Sequence, residues 1–85
     1  TGEKQEVVLE CHNDLMKSVI DQFGEDVVTW KITADTFRTK AYVCTSQTFY
    51  SWVFQFAGKM KLVSPGPVVE EYKKMLEKAL MHMSL

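Results

Sequence analysis

The feature that most constrains this chain is a hydrophobic period that changes repeatedly between that of a strand and that of a helix. From Glu6 to Cys11 apolar residues alternate, Val7, Leu9 and Cys11 against Val8 and Glu10, which predicts a strand. From Asn13 to about Phe23 the spacing becomes helical, with Leu15, Met16, Val19, Ile20 and Phe23 on one stripe, Asn13 as N-cap and Gly24 as stop. Alternation returns over Val27–Ala34, Val28, Trp30 and Ile32 against Thr29, Lys31 and Thr33. It continues over Phe37–Thr45, Phe37, Ala41 and Val43 against Arg38, Lys40, Tyr42 and Cys44. Asp35-Thr36 between them is the length of a two-residue hairpin turn. Ser46 then caps a second helix with Phe49, Trp52, Val53 and Phe56 on one stripe, ending at Gly58. A short strand follows over Lys59–Val63. Ser64-Pro65-Gly66-Pro67 breaks the chain, and Pro67 opens a last helix, apolar at Val69, Tyr72, Met75, Leu76, Ala79 and Met83, that runs to about His82.

The order β-α-β-β-α-β plus a C-terminal helix predicts an α+β domain with the ferredoxin-like plan, two helices on one face of a four-stranded antiparallel sheet. Right-handed crossovers put the first and third strands in the centre, in the order 4-1-3-2. At 85 residues there is room for one domain, residues 1–85, which buries only about 60–65 % of the surface its unfolded chain exposes. An apolar content of 46 % with 12 % aromatic residues suits that task. Trp52 is expected to be buried between the helices and the sheet.

A net charge of −1 gives no overall bias towards nucleic acid or membrane, so a basic site must come from segregated charge. No apolar run approaches the roughly 20 residues that cross a bilayer, and the polar start, Thr1-Gly2-Glu3-Lys4, carries no secretory signal. That start reads as a piece excised from a larger, soluble protein. The two cysteines, Cys11 and Cys44, are expected to be reduced cytoplasmic thiols on opposite sides of the sheet.

Catalytic signals are lacking. His12 and His82 fall in different elements, and Cys11-His12 sends its side chains to opposite faces of a strand, a poor metal or thiolate pair. No glycine-rich phosphate loop is present. Cys11-His12-Asn13-Asp14 stands where an acylphosphatase-like enzyme needs an anion cradle, and its Asp would repel phosphate. The chain is read as a non-enzyme without cofactor or metal. An ACT-like small-molecule sensor attached to a metabolic enzyme shares the fold plan, but the glycine-rich first loop of such sensors is missing.

Two surfaces are left for function. If Trp30, Ile32, Phe37, Ala41 and Val43 face the helices, the open face shows Lys31, Arg38, Lys40, Tyr42 and Lys61, joined by Lys59 if the fourth strand keeps register, against Glu10 alone. This is the candidate effector or partner face. Arg38 can present a fork to phosphate or carboxylate, and Tyr42 a ring for stacking. Tyr50 and Phe54 project from other sides of the second helix than its apolar stripe, and Tyr72 lies on the stripe of the last helix. These three are interface candidates.

Ser46–Gly58 (SQTFYSWVFQFAG) followed by Met60–Pro65 (MKLVSP) resembles the C-terminal extension, of WCX type, of bacterial WYL-domain transcription regulators with an N-terminal winged helix-turn-helix. Phe49, Trp52, Phe56, Gly58, Val63 and Pro65 occupy the places of that family's pattern. The upstream Val-x-Leu strand, the first helix and the hairpin around Phe37-Arg38 fit as well. The resemblance implies a regulatory module that supports dimerisation and helps close or read the effector site of a neighbouring WYL domain. It also implies an anionic or nucleic-acid effector, and promoter DNA bound only through an N-terminal domain outside this sequence.

Overall fold

The computed structural model describes residues 3–83. It is a small α+β domain with a four-stranded antiparallel sheet and three helices. The elements are β1 (Lys4–His12), a 3-10 turn (Asn13–Leu15) leading into α1 (Met16–Phe23), β2 (Val28–Lys31), β3 (Thr36–Cys44), α2 (Gln47–Phe54), β4 (Met60–Ser64) and α3 (Gly66–Met81). The strands lie in the order β2-β3-β1-β4, so the expected central pair, β1 and β3, is central.

Alternation along β1 sorts its side chains as the sequence predicts. Val7, Leu9 and Cys11 are fully buried, and opposite them on β3 stand Ala41, Thr39 and Phe37. On the other flank Leu9 pairs with Leu62 and Cys11 with Met60, completing an inner face. Leu15 and Val19 from the first helical segment, Phe49, Tyr50 and Val53 from α2, and Val68 from α3 close over that face. Complete burial of each large aliphatic side chain contributes roughly 1.5–3 kcal/mol. Ser46 caps α2 as expected, its Oγ accepting from Phe49 N at 3.4 Å. Gly58, at φ +87, lies in the left-handed turn after α2, beside Ala57 at φ +52.

The first helix begins differently. His12 takes the capping position, its Nδ1 3.4 Å from Asp14 N. Asn13 does other work: its N donates to Asp35 O and its Nδ2 to Ala34 O, both at 2.8 Å, which ties the β2–β3 loop to the end of β1.

The largest departure is the β2–β3 hairpin. A turn at Asp35-Thr36 would set Trp30 opposite Ala41, on the inner face. Instead Trp30 pairs with Arg38 and Lys31 with Phe37. The loop is Thr33–Asp35, closed by Ile32 N donating to Thr36 O at 3.0 Å. Thr33 Oγ1 accepts from the N–H groups of Asp35 and Thr36, both at 3.1 Å, and stabilises this longer turn. The pairing shifts by an odd number of residues, which reverses every side chain of β2. Val28, Trp30 and Ile32 therefore leave the helix side, against expectation, and are 57 %, 37 % and 41 % exposed.

Other departures are smaller. Trp52 is half-buried at the margin of the core, edge-on to Phe23 (centroids 5.3 Å apart) and to Phe56 (5.1 Å), because Phe49, Tyr50 and Val53 take the central positions. α3 packs through Val68, Val69, Tyr72 and Met75, while Ala79, Leu80 and Met81 on its last turn, and Met83 beyond it, are exposed.

Candidate functional site

All three helices contribute to the core on one side of the sheet, and the opposite side carries the even-numbered residues of β1 to β3. By register these are Lys4, Glu6, Val8, Glu10 and His12 on β1, Arg38, Lys40, Tyr42 and Cys44 on β3, and Val28 and Trp30 on β2; Lys61 on β4 joins them. One row crosses all four strands: Lys61, Glu10, Arg38 and Trp30. The next contains Val8, Lys40 and Val28, and beyond it Tyr42 stands opposite Glu6.

Of the five residues expected on this face, the structure brings together four: Arg38, Lys40, Tyr42 and Lys61. Lys31 is the exception. The reversed β2 register sets it on the helix side opposite Phe37, and Trp30 takes the place assigned to it. Glu10 is not the only acid either, since Glu6 shares its face. Four cations (Lys4, Arg38, Lys40, Lys61) still outnumber two carboxylates. Arg38 is engaged internally, its Nε donating to Glu10 Oε1 at 2.9 Å across β1 and β3. Lys40 and Lys61 are exposed and make no ion pair among the described residues, and Tyr42 is 69 % exposed.

Lys59 stands just before β4, opposite His12, whose N donates to its carbonyl at 2.9 Å. The Lys59 Nζ donates to Asp14 Oδ2 at 2.9 Å, while His12 Nδ1 lies 2.9 Å from Asp14 Oδ1. Hydrogen bonds from Lys59 and then His12 hold the Asp14 carboxyl below its usual range. This exposed chain clips the start of β4 to the end of β1, and it contains no nucleophile. Among the described residues no group of three or more His, Cys, Asp or Glu is placed to hold a metal ion.

The three interface candidates fare differently. Phe54 is exposed, at 60 %. Tyr50, expected to project from the helix surface, lies in the interior, 3 % exposed, with α3 over it. Its hydroxyl donates to Glu71 Oε1 at 2.6 Å and its ring stacks on Tyr72, centroids 5.4 Å apart. Tyr72 is half-buried by the same stack. Burial and the Glu71 bond raise the Tyr50 hydroxyl, and burial raises Tyr72. Above this contact an open groove of about 880 Å³ is lined by Gln5, Thr45, Ser46, Glu71, Lys74 and Lys78, among others.

The remaining residues of the Ser46–Pro65 pattern are structural. Phe49 is in the core, Trp52 and Phe56 pack against it, Val63 is half-buried, and Pro65 caps α3. Trp30 and Val28 are the surface residues that the sequence reading missed, and the loop-closing Thr33 and Thr36 were the available signal. Among the described residues no helix is long and apolar enough to cross a membrane. Comparison with protein-family models, curated proteins and solved structures finds no match.

Proposed function

We propose that this chain is a non-catalytic regulatory module of a bacterial transcription regulator. In this reading it packs beside a WYL domain in the cytoplasm, supports a homodimer and presents its helix-free sheet face to an anionic or nucleic-acid effector. The β-α-β-β-α-β order with β1 and β3 central supports a ferredoxin-like arrangement, to which α3 is added. The Ser46–Pro65 pattern supports the regulator context. The observation that carries the effector reading is the sheet face itself. Among the described residues no helix covers it, and it sets Lys40 and Lys61 among the exposed aromatic residues Tyr42 and Trp30. Cations neutralise phosphates, and aromatic rings accept stacked bases without regard to sequence.

The test is fluorescence anisotropy of an oligothymidylate titrated with the chain from low salt upwards. About four phosphate contacts give a log–log salt slope near −3. Lys40→Glu with Lys61→Glu is preferred to changing Arg38, whose loss would strand Glu10. This variant should keep its melting temperature, bind much more weakly and flatten the slope by about 1 to 1.5. Absence of binding at about 50 mM salt, or a slope unmoved by the two substitutions, would overturn the effector assignment.

A further inference from the structure

β2 is an edge strand, and its outer side is chemically unfinished. Ile32 N donates to Thr36 O, and Val28 O accepts from Thr39 Oγ1, so the even-numbered residues of β2 direct their main-chain groups towards β3. β3 agrees: its odd-numbered residues serve β1, as Thr45 N donating to Glu3 O shows, which leaves its even-numbered residues for β2. In an antiparallel ladder these roles alternate, so Thr29 and Lys31 turn their N–H and C=O groups outwards. All four residues of β2 are exposed. An edge of this kind is a template for another strand.

The side chains select the strand. Val28, Trp30 and Ile32 form an exposed apolar triplet on the helix-free face, and the segment Val28–Ile32 reads alike from either end: apolar, polar, apolar, polar, apolar. We infer that the β2 edge pairs antiparallel with the β2 edge of a second copy of this chain, about a two-fold axis through Trp30. This makes one continuous eight-stranded sheet. Thr29 then exchanges both main-chain bonds with Lys31 of the second copy, and Lys31 with its Thr29. Trp30 meets its own counterpart in the wide, non-bonded position, where side chains approach most closely, and Val28 meets Ile32.

Neighbouring registers are worse. A one-residue slip sets Trp30 against Lys31 and mismatches the outward bonding groups. An axis through Lys31 opposes two like charges. An axis through Thr29 leaves Ile32 unpaired. Only the axis through Trp30 uses all five residues.

The inference rests on the reading of the chain as a dimerising module, but not on the effector role of the sheet centre. Trp30 lies on both surfaces, but the bonds proposed here come from Thr29 and Lys31, and the test reads mass and cross-linking, not oligothymidylate binding. A strand pair this short is at the small end of specific interfaces, so sedimentation equilibrium should show a mass rising from 9.8 kDa towards twice that value between about 10 µM and 1 mM. Thr29→Pro removes only outward N–H groups, and proline is tolerated on such an edge. It should weaken association roughly tenfold or more, since two main-chain bonds are lost by symmetry. Trp30→Thr should weaken it as well.

Register is read by oxidative cross-linking in a Cys44→Ser background. Thr29→Cys and Lys31→Cys chains should form a disulfide when mixed and none when either is oxidised alone. The paired positions lie about 5.5 Å apart, within disulfide range. A monomer up to about 1 mM, a dimer indifferent to both substitutions, or cross-linking of either cysteine variant with itself would each overturn the pairing. Should Thr29→Pro fail to fold, the mass of the unsubstituted chain and the mixed cross-link still decide.

Discussion

Replacing Tyr50 by Phe isolates the bond that holds α3 to α2. The ring stays, so its packing on Phe49 and its stack on Tyr72 persist. What goes is the hydroxyl that donates to Glu71 at 2.6 Å. A hydrogen bond to a charged group is worth about 1.5–3 kcal/mol, and the exposed position of Glu71 on α3 argues for the lower end, about 1.5 kcal/mol. For a domain of this size that is roughly 6–12 °C in melting temperature. Urea unfolding monitored by far-ultraviolet circular dichroism measures the difference. Its pH dependence gives a second, sharper check. The Tyr50 hydroxyl titrates above its ordinary value of 10.0 in the folded chain, so it contributes stability that is complete below pH 10. That contribution is lost as pH rises, because the unfolded chain ionises first. The gap between the parent and Tyr50→Phe should therefore narrow above pH 10. A gap below about 0.3 kcal/mol at pH 7 would refute the account of how α3 is held, as would one that stays flat into strong alkali.

Two further outcomes follow from the sheet faces and the β1–β4 clip. Burial first, and then the Glu10 charge, push the Cys11 thiol up to about 12, so at pH 8 a thiol reagent should label Cys44 alone in the folded protein and both cysteines after unfolding. Stoichiometric labelling of two thiols in the native state would contradict the β1 register. Asp14→Asn should lower stability at neutral pH by an amount that disappears on acidification: a depressed carboxyl stabilises above its unfolded value of 3.8 and loses that contribution as pH falls through its folded value. Acid titrations of the two proteins that ran parallel throughout would show the Lys59 and His12 contacts to be without effect.

Local chemistry decided much of the architecture. The alternation of Val7, Leu9 and Cys11, the stripe containing Phe49 and Val53, the Ser46 cap and the Pro65–Pro67 break each act within a few residues, so element order and the central pairing of β1 with β3 are readable from the chain. Cys11 and Cys44 fall on opposite faces for the same reason. Side chains alternate by two, and nothing in β1 or β3 interrupts the count. Of the candidate site, Arg38, Lys40, Tyr42 and Lys61 were legible, since all follow from the parity of strands whose inner faces are plainly apolar.

The tertiary structure decided what depends on contacts between distant residues. The face of β2 was one such matter. Its apolar alternation, Val28, Trp30 and Ile32, points to the wrong face as the inner one, because the hairpin loop and not the pattern sets the parity. Asn13, 20 or more residues away in sequence, holds Ala34 and Asp35, while Thr33 closes the three-residue turn, and together they exchange Lys31 for Trp30 on the open face. Tyr50 was the other. On α2 alone it lies off the apolar stripe and reads as surface. It becomes interior only because α3 returns across it with Tyr72 and Glu71, more than 20 residues later. Period and capping energies are local, whereas loop parity and helix docking are settled by which remote group satisfies a buried donor or covers an apolar ring.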